Sequence, residues 1–283
     1  MKIAVTTASG GLGKTVIKEL LKKYKPEQII GLARSPEKAR DLGIEIKPGD
    51  YNQRSDFEQG LKNVNTVLLV SANGPPDKRI NMHRNVIEGA KIAGVNKIIY
   101  TSIFGEAGKC SFDAVIHSNR QTENDIQTSG LKWIIGRNGL YIDADLVSVP
   151  EYKKTGKITN SAGSGKCSYT SRQELAVAYT NLMTNDSFNY NIYNLCGNSI
   201  TQEELAQVFN QIFNLDLKYE PVSIESYFED RIQEHGEFLG RIIGGIYQGI
   251  RLGVFDVPSD FEEICGRKHL TILEMVKNYE KYN

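Results

Sequence analysis

Several things that would narrow the chemistry at once are missing from this sequence. Its 283 residues include only four cysteines, Cys110, Cys167, Cys196 and Cys265, with no C-x-x-C pair and no histidines at metal-ligand spacing. A metal centre of that kind is therefore excluded, and reduced, mostly buried thiols are expected. No apolar run approaches the ~18 residues of a membrane span. The opening "MKIAVTTASG" lacks the apolar core of a signal peptide, so a cytoplasmic address with no membrane partner is expected. Neither sign of charge is in excess, because Lys plus Arg and Asp plus Glu both number 34. That balance removes any global pull toward nucleic acid and leaves small molecules or other proteins as partners. A repeat period, a low-complexity tract, a nucleophile elbow and a phosphate-loop lysine motif are also absent.

What is present is a rhythm. With 40% hydrophobic residues the chain can bury a substantial core. Its first half alternates apolar runs with amphipathic stretches. Six strands are predicted at 3–7, 28–33, 44–49, 66–71, 97–102 and 132–137. Between them Leu12, Val16, Ile17, Leu20 and Leu21, and again Val86, Ile87, Ala90 and Ala93, recur at helix spacing. The more polar 113–129 ends in the stop "TSGLK". Strand and helix alternating to a sixth strand predict an α/β fold, a Rossmann-like doubly wound parallel sheet with helices on both faces. The expected boundaries are a dinucleotide domain over 1–137, completed by strand segments within 166–198, and a smaller α+β substrate lobe over 138–283. In that lobe "TQEELAQVFNQIF" opens with a capping box, Thr201 with Glu204. Val222, Ile224, Phe228, Phe238, Leu239, Ile242, Ile243, Ile246 and Tyr247 supply apolar faces for a helical lid. The glycines of "GRIIGGIYQGIRLG", each costing about 1 kcal/mol in an isolated helix, imply close packing or a bend.

The stretch "VTTASGGLG" puts a helix N-terminus directly after the first strand, where free N–H groups and the helix dipole favour a pyrophosphate. Gly10 lets a ligand approach the backbone and Gly13 lets the helix approach the sheet. The first glycine of the usual triplet is replaced by Thr7. A Cβ there must avoid positive φ or accept about 1–2 kcal/mol, unless the turn shifts so that Gly10 and Gly11 supply the freedom. On this reading Thr7 loosens the hold on a nucleotide, and Thr7→Gly would tighten it. Arg34 follows the second strand, where such folds place an acid for a ribose 2′-hydroxyl or an arginine for a 2′-phosphate. The choice points to NADP over NAD, the competing reading being a solvated surface arginine.

Collinear segments along nearly the whole chain carry a resemblance: "TTASGGLGKTVIKELL", "QIIGLARSPEKARDLGIEIKPGDYNQ", "HRNVIEGAKIAGVNKIIYTS", "SGLKWIIGRNGLY", "TNSAGSGKCSYTSRQELA" and "YNLCGNSITQEELAQ". They resemble the NmrA-like atypical short-chain dehydrogenases, and within them the bacterial NADPH:quinone oxidoreductase and triphenylmethane reductase group. The resemblance implies NADPH as cofactor. By that likeness Thr6, Thr7, Ala8, Ser9, Gly10, Gly11, Leu12 and Gly13 cradle the pyrophosphate, Arg34 meets the 2′-phosphate, and Asp50 and Tyr51 flank the adenine. Val70, Ser71 and Ala72 pass under the ribose and nicotinamide side. Tyr100, Thr101 and Ser102 floor the nicotinamide pocket, while Asn138 and Gly139 face the cofactor and Tyr141 borders the substrate. Glu123 matches the family's glutamate, but the family's lysine or histidine four residues earlier is Asn119. His117, two residues from Asn119, is turned about 200° away on a regular helix and needs a local irregularity to return.

No Y-x-x-x-K occurs, so the proton transfer of the more typical short-chain dehydrogenases and epimerases lacks its pair. Quinones need less, because they accept hydride readily and the reduced oxygen is a stabilised phenolate. The expected function is an NADPH-dependent reductase passing hydride directly to a quinone or similar conjugated acceptor, with Tyr141, Asn138 and His117 or Asn119 as candidate donors to the acceptor oxygen. Tyr141 also reads as an ordinary cleft-wall aromatic. His83 reads equally as a cofactor-lining or a satisfied structural histidine, and His235 and His269 have no partners suggesting catalysis. The alternative function is a non-catalytic NADP(H)-binding redox sensor. The oligomeric state, monomer or homodimer, is left open.

Overall fold

Seven strands form the central sheet of the computed structural model, which describes residues 1–282. The chain runs β1 (Ile3–Val5), α1 (Gly11–Leu20), β2 (Ile29–Ala33), β3 (Glu45–Pro48), α2 (Arg54–Gly60), β4 (Thr66–Leu69), α3 (Pro76–Ile92), β5 (Lys97–Ile103), α4 (Asp113–Gln127) and β6 (Lys132–Asn138). It continues through β7 (Leu140–Tyr141), α5 (Asp143–Thr155), β8 (Lys157–Asn160), β9 (Lys166–Thr170), α6 (Arg172–Thr184) and β10 (Ile192–Leu195). The last elements are β11 (Ser199–Thr201), α7 (Gln202–Phe213), β12 (Lys218–Pro221), α8 (Ile224–Arg251), α9 (Phe261–Cys265) and α10 (Ile272–Tyr282).

All six expected strands lie in one sheet of order β3-β2-β1-β4-β5-β6-β10, and every pairing in it is parallel. Ile192–Leu195, within "YNIYNL", closes the edge beside β6. Alternation along each strand feeds two cores. Ile3 and Val5 face α1 and α6 with Val16, Ile17, Leu20 and Leu175. Ala4 faces the other way, onto Phe57, Val86, Ile87 and Ala90 of α2 and α3. The buried apolar stripe of α1 fixes that helix to the sheet, each such side chain contributing about 1.5–3 kcal/mol. Winding proceeds outward from β1 to β3 and, after the crossover, outward again from β4 to β10. The order therefore reverses between β1 and β4, and the crevice outside their carboxyl ends is where this topology places a ligand.

Beyond β6 a third core gathers Phe104, Phe112, Ile142, Leu146, Leu205, Phe209 and Phe255. Two small sheets frame it, β11-β9-β7 and β12-β8. Thr201 and Glu204 form the capping box of α7. Of the close packing or bend expected of the glycine-rich segment 240–253, the segment shows the close packing, and the bend falls just before it. Gly236, at φ 79°, kinks α8, and beyond it the helix packs its glycines against Phe112 and Phe255. Phe238 and Leu239, counted on an apolar face from sequence, are instead exposed just past that kink. Cys167 and Cys196 are buried and Cys110 and Cys265 partly so, all four as free thiols.

Candidate functional site

The first turn follows β1 with Thr7 at φ 50°. A β-branched residue in the left-handed region is an outlier, so of the three ways open to Thr7 the chain takes the strained one. The Thr7 carbonyl accepts the Gly10 N–H at 2.7 Å, and Ala8 is anchored through its N–H to the Leu32 carbonyl at 2.9 Å. Gly13 is fixed by space: a Cβ there would lie 2.4 Å from the Thr7 carbonyl oxygen. Gly10 caps α1 without a side-chain hydrogen bond. The amides of Gly11, Leu12 and Gly13, which precede the first i→i−4 bond from Lys14, are thus open donors at the positive end of the helix.

Arg34 is exposed one residue beyond β2. Among the described residues no hydrogen bond or ion pair holds it, so its guanidinium is free to meet a phosphate. Asp50 and Tyr51 part company. Asp50 is half-buried and organises its own loop, accepting from the Asn52 N–H at 2.9 Å. Tyr51 is buried, its hydroxyl donating to the Val70 carbonyl at 2.6 Å and lying 2.6 Å from the Thr6 hydroxyl. Thr6 also accepts from the Val70 N–H at 2.9 Å. Tyr51 thus ties the ends of β1 and β4 together from beneath the turn, and burial pushes its pKa far up.

His83 is fully buried on α3. Its Nε2 accepts from the Ala72 N–H at 2.9 Å, so the proton sits on Nδ1 and is donated to the Thr122 hydroxyl at 2.9 Å. Burial, assisted by the Arg79 charge, lowers its pKa to about 3. It is a neutral brace behind Ala72. Arg79, one turn earlier on α3, is 6% exposed and was not singled out by its sequence context. It donates to the Ser118 hydroxyl at 3.1 Å, to the Ser71 hydroxyl at 2.5 Å and to Asn119 Oδ1 at 3.3 Å. Tyr100 donates to Asn119 Oδ1 at 2.7 Å, and burial pushes its pKa up to about 12, against the pull of Arg79. The Thr101 hydroxyl accepts from the Ser71 N–H at 2.8 Å. The signal for Arg79 was its place four residues before His83, a second polar residue on an otherwise apolar stripe.

On α4 the two family positions have different fates. Asn119 joins the Arg79 network, with its amide nitrogen anchored on the Val115 carbonyl at 2.7 Å. Glu123, 3% exposed, is held by Arg137 through two bonds at 3.0 and 2.6 Å, by Arg120 at 2.6 Å and by the Ser102 hydroxyl at 2.6 Å. That side chain is an ion-pair anchor. His117 is exposed on the opposite face of a continuous α4. The local irregularity that would return it does not occur, and it makes none of these contacts.

At the end of β6, Asn138 accepts from the Tyr179 hydroxyl at 2.5 Å and donates to the Tyr141 hydroxyl at 3.0 Å. The Tyr141 oxygen is therefore an acceptor inside the protein, and its proton is left for the cleft. Burial pushes Tyr141 up to about 12, so it stays a donor. Gly139 brings β6 against β9, where a Cβ would stand 2.6 Å from the Ser168 carbonyl oxygen. Arg172 of α6 was also missed from sequence. It pairs with Asp143 at 2.5 Å, lies 5.7 Å over the Tyr141 ring and sits 2.8 Å from the Cβ position of Gly11. Nothing local marks a residue that reaches the first turn from so far along the chain. Among the described residues there is no cluster able to hold a metal ion and no helix long and apolar enough to cross a membrane.

Fold, switch-point crevice and open amides at α1 define a dinucleotide-binding α/β protein. The chain belongs to the NAD(P)H-binding family, whose profile matches residues 7–186. It is 29% identical over 291 aligned residues to quinone oxidoreductase 2 of Escherichia coli K12, across 99% of each chain. The structure of an E. coli NADPH-dependent quinone oxidoreductase in complex with NADPH is similar with a TM-score of 0.90, 27% identity and coverage of 98% and 99% of the two chains. Citrobacter sp. triphenylmethane reductase in complex with NADP(H) also matches with a TM-score of 0.90, at 30% identity and the same coverage.

Proposed function

We propose that this protein is an NADPH-dependent reductase that passes hydride directly to a quinone or similarly flat, conjugated acceptor. The observation that carries the reading is the character of the crevice. It holds open amides and a free Arg34 for phosphates, neutral donors at Ser71 and Tyr141, and a Glu123 fully engaged by two arginines. Such a site orients and stabilises charge without a general acid–base pair, in keeping with the absence of Y-x-x-x-K. The names of the similar proteins, a quinone reductase and a triphenylmethane reductase, support the same acceptor class.

In this assignment Thr6 to Gly13 hold the pyrophosphate on the amides of α1, Arg34 holds the 2′-phosphate, and Val70 to Ala72 with Tyr100 to Ser102 line the nicotinamide side. Tyr51 and His83 support that lining from behind. Bound there, NADPH supplies the hydride. Asn138 sets the Tyr141 proton toward the acceptor, and Gly139 lets the lobe close on the sheet. A second reading, an NADP(H)-binding regulator without turnover, is favoured by Asn119, a side chain that cannot move a proton. Purified protein mixed with NADPH and a panel of soluble quinones separates the two. Acceptor-dependent oxidation of NADPH, well above that of NADH, supports the reductase. Tight NADPH binding without oxidation supports the regulator.

A further inference from the structure

Arg79 presents a problem that the fold alone does not solve. Its guanidinium is 6% exposed, yet no carboxylate lies within ion-pair distance among the described residues, and its Nε has no hydrogen-bond partner. A buried charge without a counter-ion is among the most unfavourable groups a fold retains. The neighbouring elements offer no anion. Its partners are the Ser71 hydroxyl just beyond β4 and Ser118 and Asn119 of α4, Tyr100 of β5 donates to the same Asn119 oxygen, and the neighbour on its own helix is the neutral ring of His83. The buried acid of α4, Glu123, is already paired with Arg120 and Arg137. Such an arrangement is stable in function when something that binds brings the missing negative charge.

The hydrogen bonds say where that charge would come. Asn119 Oδ1 is occupied by Tyr100 at 2.7 Å and by Arg79 at 3.3 Å. Ser71 accepts from Arg79 at 2.5 Å, and its own proton has only long contacts, 3.2 Å to the Tyr100 hydroxyl oxygen and 3.4 Å to that same crowded amide oxygen. Ser71 is half-buried at the carboxyl end of β4. Its hydroxyl is therefore a donor, polarised by a buried cation, whose best acceptor lies in the crevice.

We propose that Ser71 and Arg79 form an oxyanion site for the acceptor, in which Ser71 donates to the oxygen that becomes negative and Arg79, acting through Ser71, offsets its charge. The proposal rests on the reductase reading. The hydride leaves a carbon of the dihydronicotinamide and forms an O–H bond at one carbonyl oxygen of the quinone, and the displaced π pair passes through the ring to the opposite carbonyl oxygen, which becomes a phenolate. Solvent then supplies one proton to that oxygen. The sum is one NADPH, one quinone and one proton consumed, with one NADP⁺ and one hydroquinone formed.

The test uses 4-nitrophenol, whose phenolate is read by its visible absorbance, titrated against pH in the complex of the full chain with NADP⁺. In the wild type the phenolate is expected to bind roughly tenfold or more tighter than the phenol, lowering the bound pKa by about one unit. Arg79→Met and Ser71→Ala are each expected to abolish that preference. Arg79→Lys keeps part of it, and 4-nitroanisole binds all four proteins alike. In quinone reduction Arg79→Met is expected to lower kcat by roughly 10²-fold with little change in KM, while NADPH affinity stays within about threefold. An unshifted bound pKa in the wild type, or a shift that survives both Arg79→Met and Ser71→Ala, overturns the proposal. So does a large loss of NADPH affinity in Arg79→Met, which would assign the guanidinium to the cofactor phosphates. Absence of turnover in the wild type with a normal phenolate shift would instead count against the reductase reading alone. Should Arg79→Met not fold, Ser71→Ala carries the same comparison.

Discussion

Thr7→Gly has an outcome that differs from the one its sequence suggests. The threonine is held at φ 50°, a conformation costing a residue with a Cβ about 1–2 kcal/mol. Its hydroxyl has no hydrogen-bond partner among the described residues, so little is lost with the side chain. Glycine removes the strain but gives the unfolded chain more freedom, a penalty of about 0.5–1 kcal/mol. The net expectation is a gain of about 0.5–1 kcal/mol in stability, a rise in Tm of about 2 °C for a chain of this size. The strain is present in the turn before any ligand arrives, and the amides of α1 are already aimed. Its relief therefore belongs to folding and leaves the affinity for NADPH within about twofold, where the sequence alone implied tighter binding. Urea unfolding and titration calorimetry on both proteins measure the two quantities. A variant less stable than the wild type, or one binding NADPH more than tenfold tighter, refutes the reasoning.

Other substitutions address the remaining parts of the site. Arg34→Ala is expected to weaken NADPH binding by roughly 10- to 100-fold, the loss of one charge-assisted interaction, and to leave NADH unchanged in calorimetry. Glu123→Gln leaves two arginines without their acid and is expected to cost about 2–4 kcal/mol in urea unfolding, with quinone turnover per folded molecule retained. His83, lowered to about 3 by burial and Arg79, is expected to stay neutral with its proton on Nδ1 throughout pH 5 to 8, which ¹⁵N NMR of the imidazole reads directly. Asp145 is buried among tyrosines whose two hydroxyls reach it only at 3.4 Å, and burial raises its pKa to about 6. An acid with a raised folded pKa contributes stability below its unfolded pKa near 3.9 that is lost as pH rises through about 6. Asp145→Asn should therefore gain on the wild type between pH 4 and pH 7, on the order of 1–3 kcal/mol. A pH-independent difference would contradict the assignment.

The doubly wound sheet was legible because its signals are local and repeated. Apolar β-branched runs made β1, β4 and β5, and the helical stripe Val16, Ile17 and Leu20 fixed α1 between them. The turn was legible for the same reason, although its backbone was not: whether Thr7 strains, shifts or stays extended depends on the Leu32 carbonyl and on Gly13 packing beneath it, neither of which sequence spacing reveals. The helical geometry of α4 was enough to turn His117 away from Asn119. Side-chain partners were harder to read. Tyr51 stands where a ring can flank a ligand, but the Val70 carbonyl and the Thr6 hydroxyl draw it under the sheet. Arg79 carried only the faint signal of its spacing to His83, and Arg172 none, because their meaning lies in what they lack or reach across the fold: one has no counter-ion, and the other crosses from α6 to the first turn.

Direct hydride passage from NADPH to a conjugated acceptor in this crevice is measured by single-turnover oxidation of NADPH in the presence of a soluble quinone, with the cofactor either unlabelled or deuterated at C4. Acceptor-dependent oxidation that slows on deuteration and delivers one hydroquinone per NADPH is expected. Oxidation that needs no acceptor, or none at all despite saturating NADPH binding, would contradict it.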